Sequence, residues 1–296
     1  CVAIVERNRG IVGRLNDYLA PLRVDYDEDV LPLTPSGNAT ERHIVIAFMQ
    51  QAERRLADLA GFWGDRLALP RDQAEDLVRR PDRLQNAARV KLMKRGGVAY
   101  VPPDPRTFPS VEQFHRFIVA SGAIPCATWL DGTSAGEQRT EALLDLLIGK
   151  GVATLNIIPD RNWNVPDPAL REVKIRNLHE VVALAGRLDL PIIVGTELNN
   201  PGQKLVDDFD APALAPVRAA FLEGAYFIYG HTVAQREASL GYQSDWAQGH
   251  LPTRRARNDF YAALGRRVEP GAGLLRALGP RAADLTPTAL LEQASR

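Results

Sequence analysis

Asp189-Leu190-Pro191-Ile192-Ile193-Val194-Gly195-Thr196-Glu197-Leu198-Asn199-Asn200 is the stretch on which the fold turns. Its apolar part is too short for a helix and does not alternate with polar residues, as expected of a strand covered on both faces in a parallel sheet. Polar residues follow at once, where the chain leaves the sheet. Three other runs have the same form: Ala123 to Trp129, Ala153 to Ile158, and Ala225 to Tyr229. Amphipathic patterns near 110–121, 135–149, 168–188 and 211–223 separate them, a βα alternation at roughly 30 to 40 residues per unit. The fold class that follows is α/β, as a barrel or a doubly wound sheet.

Upstream the pattern is helical. Ile4, Ile11, Leu15, Tyr18 and Leu22 recur at helical spacing over 1–22, and an acidic, proline-containing link leads to Ser36. Thr40 or Asn38 is a good N-cap for a helix carrying Ile44, Val45, Phe48, Met49 and Leu56. Glycines and prolines punctuate further short helices as far as Gly97. The expected segments are 1–36, a helix and linker; 37–97, a helical insertion; 98–249, the βα units; and 250–296, a helical tail. The chain begins at Cys1 directly in a helical pattern, which reads as entry in mid-protein.

Composition removes several classes of function. Lys plus Arg and Asp plus Glu are 36 each, so no field of one sign gathers nucleic acid or an anionic membrane. No apolar stretch approaches the roughly 20 residues that span a bilayer. The two cysteines, Cys1 and Cys126, offer no disulfide framework, and a cytoplasmic setting is expected.

In parallel α/β folds chemistry collects where the loops converge beyond the strands' C-terminal ends. The residues to watch are Asp131 after the first run, Asp160 and Arg161 after the second, Glu197 and Asn199 after the third, and His231 after the fourth. Carboxylates and an imidazole from different strands suit a hard or borderline divalent cation. The competing structural reading of Glu197 is a strand-end salt bridge with Arg161. Arg42 and His43 stand in the first turn of a helix, where free backbone N–H groups favour anions. No Gly-rich phosphate loop or Ser-His-Asp arrangement stands out.

Several segments, in order, are similar to the PHP (polymerase and histidinol phosphatase-like) family of metal-dependent phosphoesterases. They are Val98-Ala99-Tyr100-Val101-Pro102, then Gly122-Ala123-Ile124-Pro125-Cys126-Ala127-Thr128-Trp129, then Leu190 to Asn199, with Thr40-Glu41-Arg42-His43-Ile44 resembling the start of the family's helical insertion. The resemblance implies the C-terminal part of a PHP-type distorted (β/α) barrel with a helical insertion, acting as a metal-dependent hydrolase on a phosphoester or related small anionic substrate. It implies a divalent metal (Zn, Mn, Fe or Mg) held by Asp131, Glu197 and Asn199, with Glu197 and His231 catalytic, and Arg42, His43, Arg161 and Asn199 contacting substrate. It also implies that a His-x-His motif precedes Cys1. Departures fall on the chemistry: Trp129 stands at a ligand histidine, Asn156 at a glutamate, and Glu197 and Asn199 at an Asp-x-His pair. One or two metals, or none, suit such a set better than three. The alternatives are a catalytically silent barrel that binds a small ligand or a protein partner, and an isomerase or aldolase on a similar barrel.

Overall fold

In a computed structural model, residues 2–105, 107–198, 204–271 and 273–294 are described. The chain divides into two compact units, Cys1–Ser110 and Val111–Arg296. No helix of the described residues is long and apolar enough to cross a membrane.

The first unit is helical: α1 (Val2–Tyr18), α2 (Glu41–Arg55), α3 (Leu59–Leu67), α4 (Arg71–Val78) and α5 (Pro81–Met93). Its helix starts follow local chemistry. Thr40 is the N-cap of α2, and the His43 ring reaches back so that Nδ1 accepts the Thr40 N–H at 3.0 Å. Asp58 caps α3 by accepting the Gly61 N–H, and Pro81 opens α5 with the fixed φ suited to a first turn. Ile11 and Leu15 of α1, Phe48 of α2, Trp63 of α3 and Met93 of α5 share one buried cluster. The acidic link forms a short π-helix at Tyr26–Val30 and a 3₁₀ turn at Leu31–Leu33.

The second unit carries the sheet. Three parallel strands, β1 (Cys126–Trp129), β2 (Thr154–Ile157) and β3 (Ile192–Val194), lie in the order β1-β2-β3. Around them are α6 (Val111–Ala120), α7 (Thr140–Gly149), α8 (Pro159–Trp163), α9 (Pro168–Arg187) and α10 (Arg218–Ala238), followed by α11 (Asp245–His250), α12 (Arg254–Arg267), α13 (Leu274–Leu278) and α14 (Pro287–Gln293). The class is therefore mixed α/β, with a small parallel sheet.

Side chains alternate across the pleat, and register fixes which residues share a face. Ala127, Trp129, Leu155, Ile157 and Ile192 form one buried cluster with Leu144 of α7 and Leu178, Val181 and Leu184 of α9. Thr128, paired with Asn156, and Cys126, paired with Thr154, belong to the opposite face, and on β1 that face is exposed. Covering on both faces, expected from the unbroken apolar runs, thus fails at β1. Cys126 and Thr128 are its outward residues.

The fourth expected strand is a helix. Ala225 to Tyr229 lies within α10, whose buried residues Phe221, Gly224, Phe227, Gly230, His231, Val233 and Ala234 follow helical spacing. The run is apolar because α10 is gripped from two sides, by β3 and by α12. Periodicity alone cannot separate such a segment from a buried strand. His231 accordingly stands in mid-helix, not after a strand.

Candidate strand-end site

Beyond β1 the chain turns through Asp131 and Gly132, and one carboxylate organises the turn. Glu137, itself buried, accepts the Leu130 N–H at 2.6 Å through Oε1, and through Oε2 the N–H of Gly132 at 3.2 Å and of Asp131 at 3.5 Å. Gly132 has φ +74°, a region that favours glycine, and a Cβ there would stand 2.7 Å from Asn177 Nδ2. That amide instead donates to the Asp131 carbonyl at 3.1 Å, latching the turn to α9.

This turn fixes the Asp131 carboxylate, which is 5% exposed. Oδ1 accepts the Thr133 hydroxyl at 2.5 Å and the Thr133 N–H at 3.1 Å. Oδ2 lies 2.9 Å from Lys174 Nζ of α9 and 3.6 Å from Arg161 Nε of α8. Burial pushes the carboxyl up, but the Thr133 hydroxyl, Lys174 and the Thr133 N–H outweigh it and hold the group below the usual carboxylate range.

After β2, Pro159 opens the single turn of α8. Asn162 Nδ2 donates to the Leu130 and Ile158 carbonyls, both at 3.0 Å, and so pins α8 between the ends of β1 and β2. Arg161 is thereby held between two acids: Nε faces Asp131, while Nη1 donates to Glu197 Oε2 at 3.0 Å. Lys174, Asp131, Arg161 and Glu197 form an alternating chain of charge across the strand ends.

A second acidic pair lies beside it. Asp160 N–H donates to Asp207 Oδ2 at 2.8 Å, and Asp160 Oδ1 accepts from Asp208 N–H at 3.1 Å and from Trp163 Nε1 at 3.0 Å. Lys204 Nζ stands 3.9 Å from Asp160 Oδ2. Burial pushes the Asp207 carboxyl up; the Asp160 N–H and Lys204 lower it, the Asp160 charge raises it, and the balance is upward. A cleft of ≈ 430 Å³ opens among Asp160, Arg161, Asn164, Glu197, Lys204 and Asp207.

Of the residues expected from sequence, Asp131, Arg161 and Glu197 come together here, and the Arg161–Glu197 ion pair is present. Asn199 lies outside the described residues. His231 is elsewhere: Nδ1 accepts the Tyr242 N–H at 3.0 Å, and a hydrogen bond links the ring to the Gly122 backbone, ahead of β1 and so at the sheet's opposite end. Burial, only partly offset by that bond, depresses its pKa to about 4. The strand end at which a catalytic role was expected is not where His231 stands, because the run before it is helical and carries it away from Asp131 and Glu197. Arg42 and His43 belong to the first unit, where Arg42 Nη1 donates to Gln85 Oε1 at 2.9 Å and His43 caps its own helix. Sequence reasoning passed over Lys174, Glu137, Lys204 and Asp207. Lys174 and Glu137 lie within or beside helices, and only tertiary packing aims them at a strand end.

Of the three donors that the resemblance implies for a divalent metal, Asp131 and Glu197 are engaged by other groups, and Asn199 lies outside the described residues. Asp131 is occupied by Thr133, Lys174 and Arg161, and Glu197 faces a guanidinium where a cation would stand. Among the described residues no three His, Cys, Asp or Glu side chains group as a metal site requires. No protein-family model, curated protein or solved structure matches the chain.

Proposed function

We propose that the strand-end cleft binds a small hydroxylated organic anion of the sugar-phosphate or sugar-acid kind. One observation carries this reading: Arg161, paired with Glu197, lines a cleft of ≈ 430 Å³ that also holds Lys204 and Asn164. The volume suits a small ligand. A guanidinium is the group best matched to phosphate or carboxylate oxygens, through paired N–H donors. A bare anion would take Arg161 from Glu197 and leave that carboxylate facing it. A ligand that also carries hydroxyl groups satisfies both, since the hydroxyls donate to Glu197 and Asp160 while the anionic group meets Arg161 and Lys204.

Titration calorimetry near neutral pH with a hexose phosphate, the parent hexose and inorganic phosphate tests this. The hexose phosphate is expected to bind tightest, and Arg161→Met to weaken it at least about tenfold, or about 1.4 kcal/mol. Equal affinity for all three compounds, or an indifferent Arg161→Met variant, overturns the reading.

A second reading, hydrolysis of such a phosphoester, is favoured by the opposed carboxylates. Burial pushes the Asp207 carboxyl up, and it lines the same cleft as Glu197, which is paired with Arg161. Turnover of the hexose phosphate, abolished in Asp207→Asn with binding retained, would promote this reading above simple binding.

A further inference from the structure

Two cations share one oxygen of the buried Asp131. Its Oδ1 is taken up by the Thr133 hydroxyl and N–H. Lys174 Nζ stands 2.9 Å from Oδ2, whereas Arg161 Nε stands 3.6 Å from the same atom, just beyond hydrogen-bond distance. Arg161 donates instead through Nη1 to Glu197, and both of these residues line the strand-end cleft. Neither Lys174 nor Asp131 is among the described residues that line it. We infer that Lys174 is a positioning residue for the ligand of that cleft: by answering the Asp131 charge, it keeps the Arg161 guanidinium turned to the cleft. This role rests on the cleft binding a phosphorylated or acidic sugar, as proposed above.

Burial and charge set the direction of the effect. A buried carboxylate without a cation is strongly disfavoured, so Asp131 recruits the cation within reach. Lys174 reaches it from α9 with a largely buried side chain. Without Lys174, Arg161 is the remaining ion-pair partner of Asp131 among the described residues. Nε then needs to move only roughly a few tenths of an ångström to hydrogen-bond Oδ2. The Glu197 side chain is 33% exposed, and solvent weakens its hold on the guanidinium relative to that of a buried carboxylate. A guanidinium committed to Asp131 has fewer donors left for the anionic group of a ligand. The effect of Lys174 therefore depends on the charge of Asp131, which separates positioning from simple attraction of an anion at a distance.

Two measurements on the intact chain test this. In proton–nitrogen correlation spectra of the arginine side chains, the Arg161 Nε–H signal is identified by its loss in Arg161→Met, with no ligand added. Lys174→Met is expected to move that signal downfield and slow its exchange with water, as a new bond to Asp131 requires, and adding Asp131→Asn should cancel the move. Titration calorimetry with hexose phosphate reads the consequence. Lys174→Met should weaken binding at least about fivefold, yet change it by less than about twofold in the Asp131→Asn background. If Lys174→Met does not fold, Lys174→Gln, whose amide still donates to Asp131 without a charge, serves instead with the same expected directions. An unmoved Arg161 signal, or an equal loss of affinity in both backgrounds, overturns the role. Binding that is lost in Arg161→Met but untouched by the Lys174 variants keeps the cleft and removes Lys174 from it. Wild type that binds neither hexose phosphate nor hexose nor phosphate removes the reading of the cleft and the role of Lys174 together.

Discussion

Asp131 shows how a buried charge is made tolerable at the scale of one residue. Desolvation of a carboxylate is costly, and it is accepted here because Thr133 and Lys174 supply hydrogen bonds and charge within 3.1 Å. Removing one partner leaves the cost without the compensation. Lys174→Met is expected to destabilise the second unit by about 1–3 kcal/mol, the range for stranding a buried polar group, while Asp131→Asn combined with Lys174→Met should recover part of that loss. Urea unfolding of the two single variants and the double variant gives the coupling, and an additive double variant would show that the pair is not what holds the turn. Asp131, Arg161 and Glu197 were legible in the sequence because each follows an apolar strand, where the fold class places functional groups. Lys174 was not, because its approach to Asp131 depends on how α9 packs on the sheet. Position along the chain reveals strand ends, whereas the charge that meets them from another element is a tertiary fact.

Elements repeat this division. Three of the four apolar runs became strands within a residue or three of their expected limits, and α2, α6 and α9 follow their amphipathic patterns closely. The fourth run, Ala225 to Tyr229, failed because a helix packed against both β3 and α12 carries buried Phe227 and half-buried Tyr226, Ile228 and Tyr229 in an unbroken apolar stretch, as a strand can. The glycines beside it carried the missing signal. Gly230 of α10 faces α12 so closely that an added Cβ would fall 1.9 Å from the Tyr261 carbonyl oxygen and 2.8 Å from Gly265 N. Backbone lies on the other side, so the contact cannot be relieved by a rotamer change. On intrinsic propensity alone, Gly→Ala within a helix gains about 1 kcal/mol. At Gly230 the clash reverses the sign, and Gly230→Ala should cost at least about 2 kcal/mol, in the class of overpacked cores. Gly10 of α1 is exposed, with nothing within 4 Å of its would-be Cβ, so Gly10→Ala should stabilise by up to about 1 kcal/mol. Thermal melts of the two variants should shift in opposite directions, and a shared sign would refute the close-packing account of α10 and α12.

At the scale of the whole molecule, stability against pH gathers these local terms into one curve. Charges balance at neutrality, so self-repulsion does not set the response there, and buried titrating groups do. His231 dominates on the acid side. It is 5% exposed, accepts the Tyr242 N–H, packs edge-on to Tyr261, and has its pKa depressed from 6.5 to about 4. Between those two values the unfolded chain binds a proton at this site that the folded chain refuses, so stability falls as pH falls. The contribution is complete above about pH 6.5 and is lost on descending to about pH 4. At about 1.4 kcal/mol per pH unit, the loss is on the order of 3 kcal/mol. Asp207 works in the opposite direction: its folded pKa is raised, so the folded state binds its proton first and gains stability as acid is added. Asp131, with a lowered pKa, loses its contribution only at the acid end, as pH falls through the carboxylate range. Of these three groups the histidine has the highest ordinary pKa, and comparing wild type with a variant that lacks it, by equilibrium urea unfolding below pH 6.5, isolates its contribution. Wild type should lose stability steeply as pH drops, whereas His231→Gln, whose amide does not titrate, should start less stable and hold a flatter line. Parallel slopes in the two proteins would mean that His231 is not the group that couples this fold to acid.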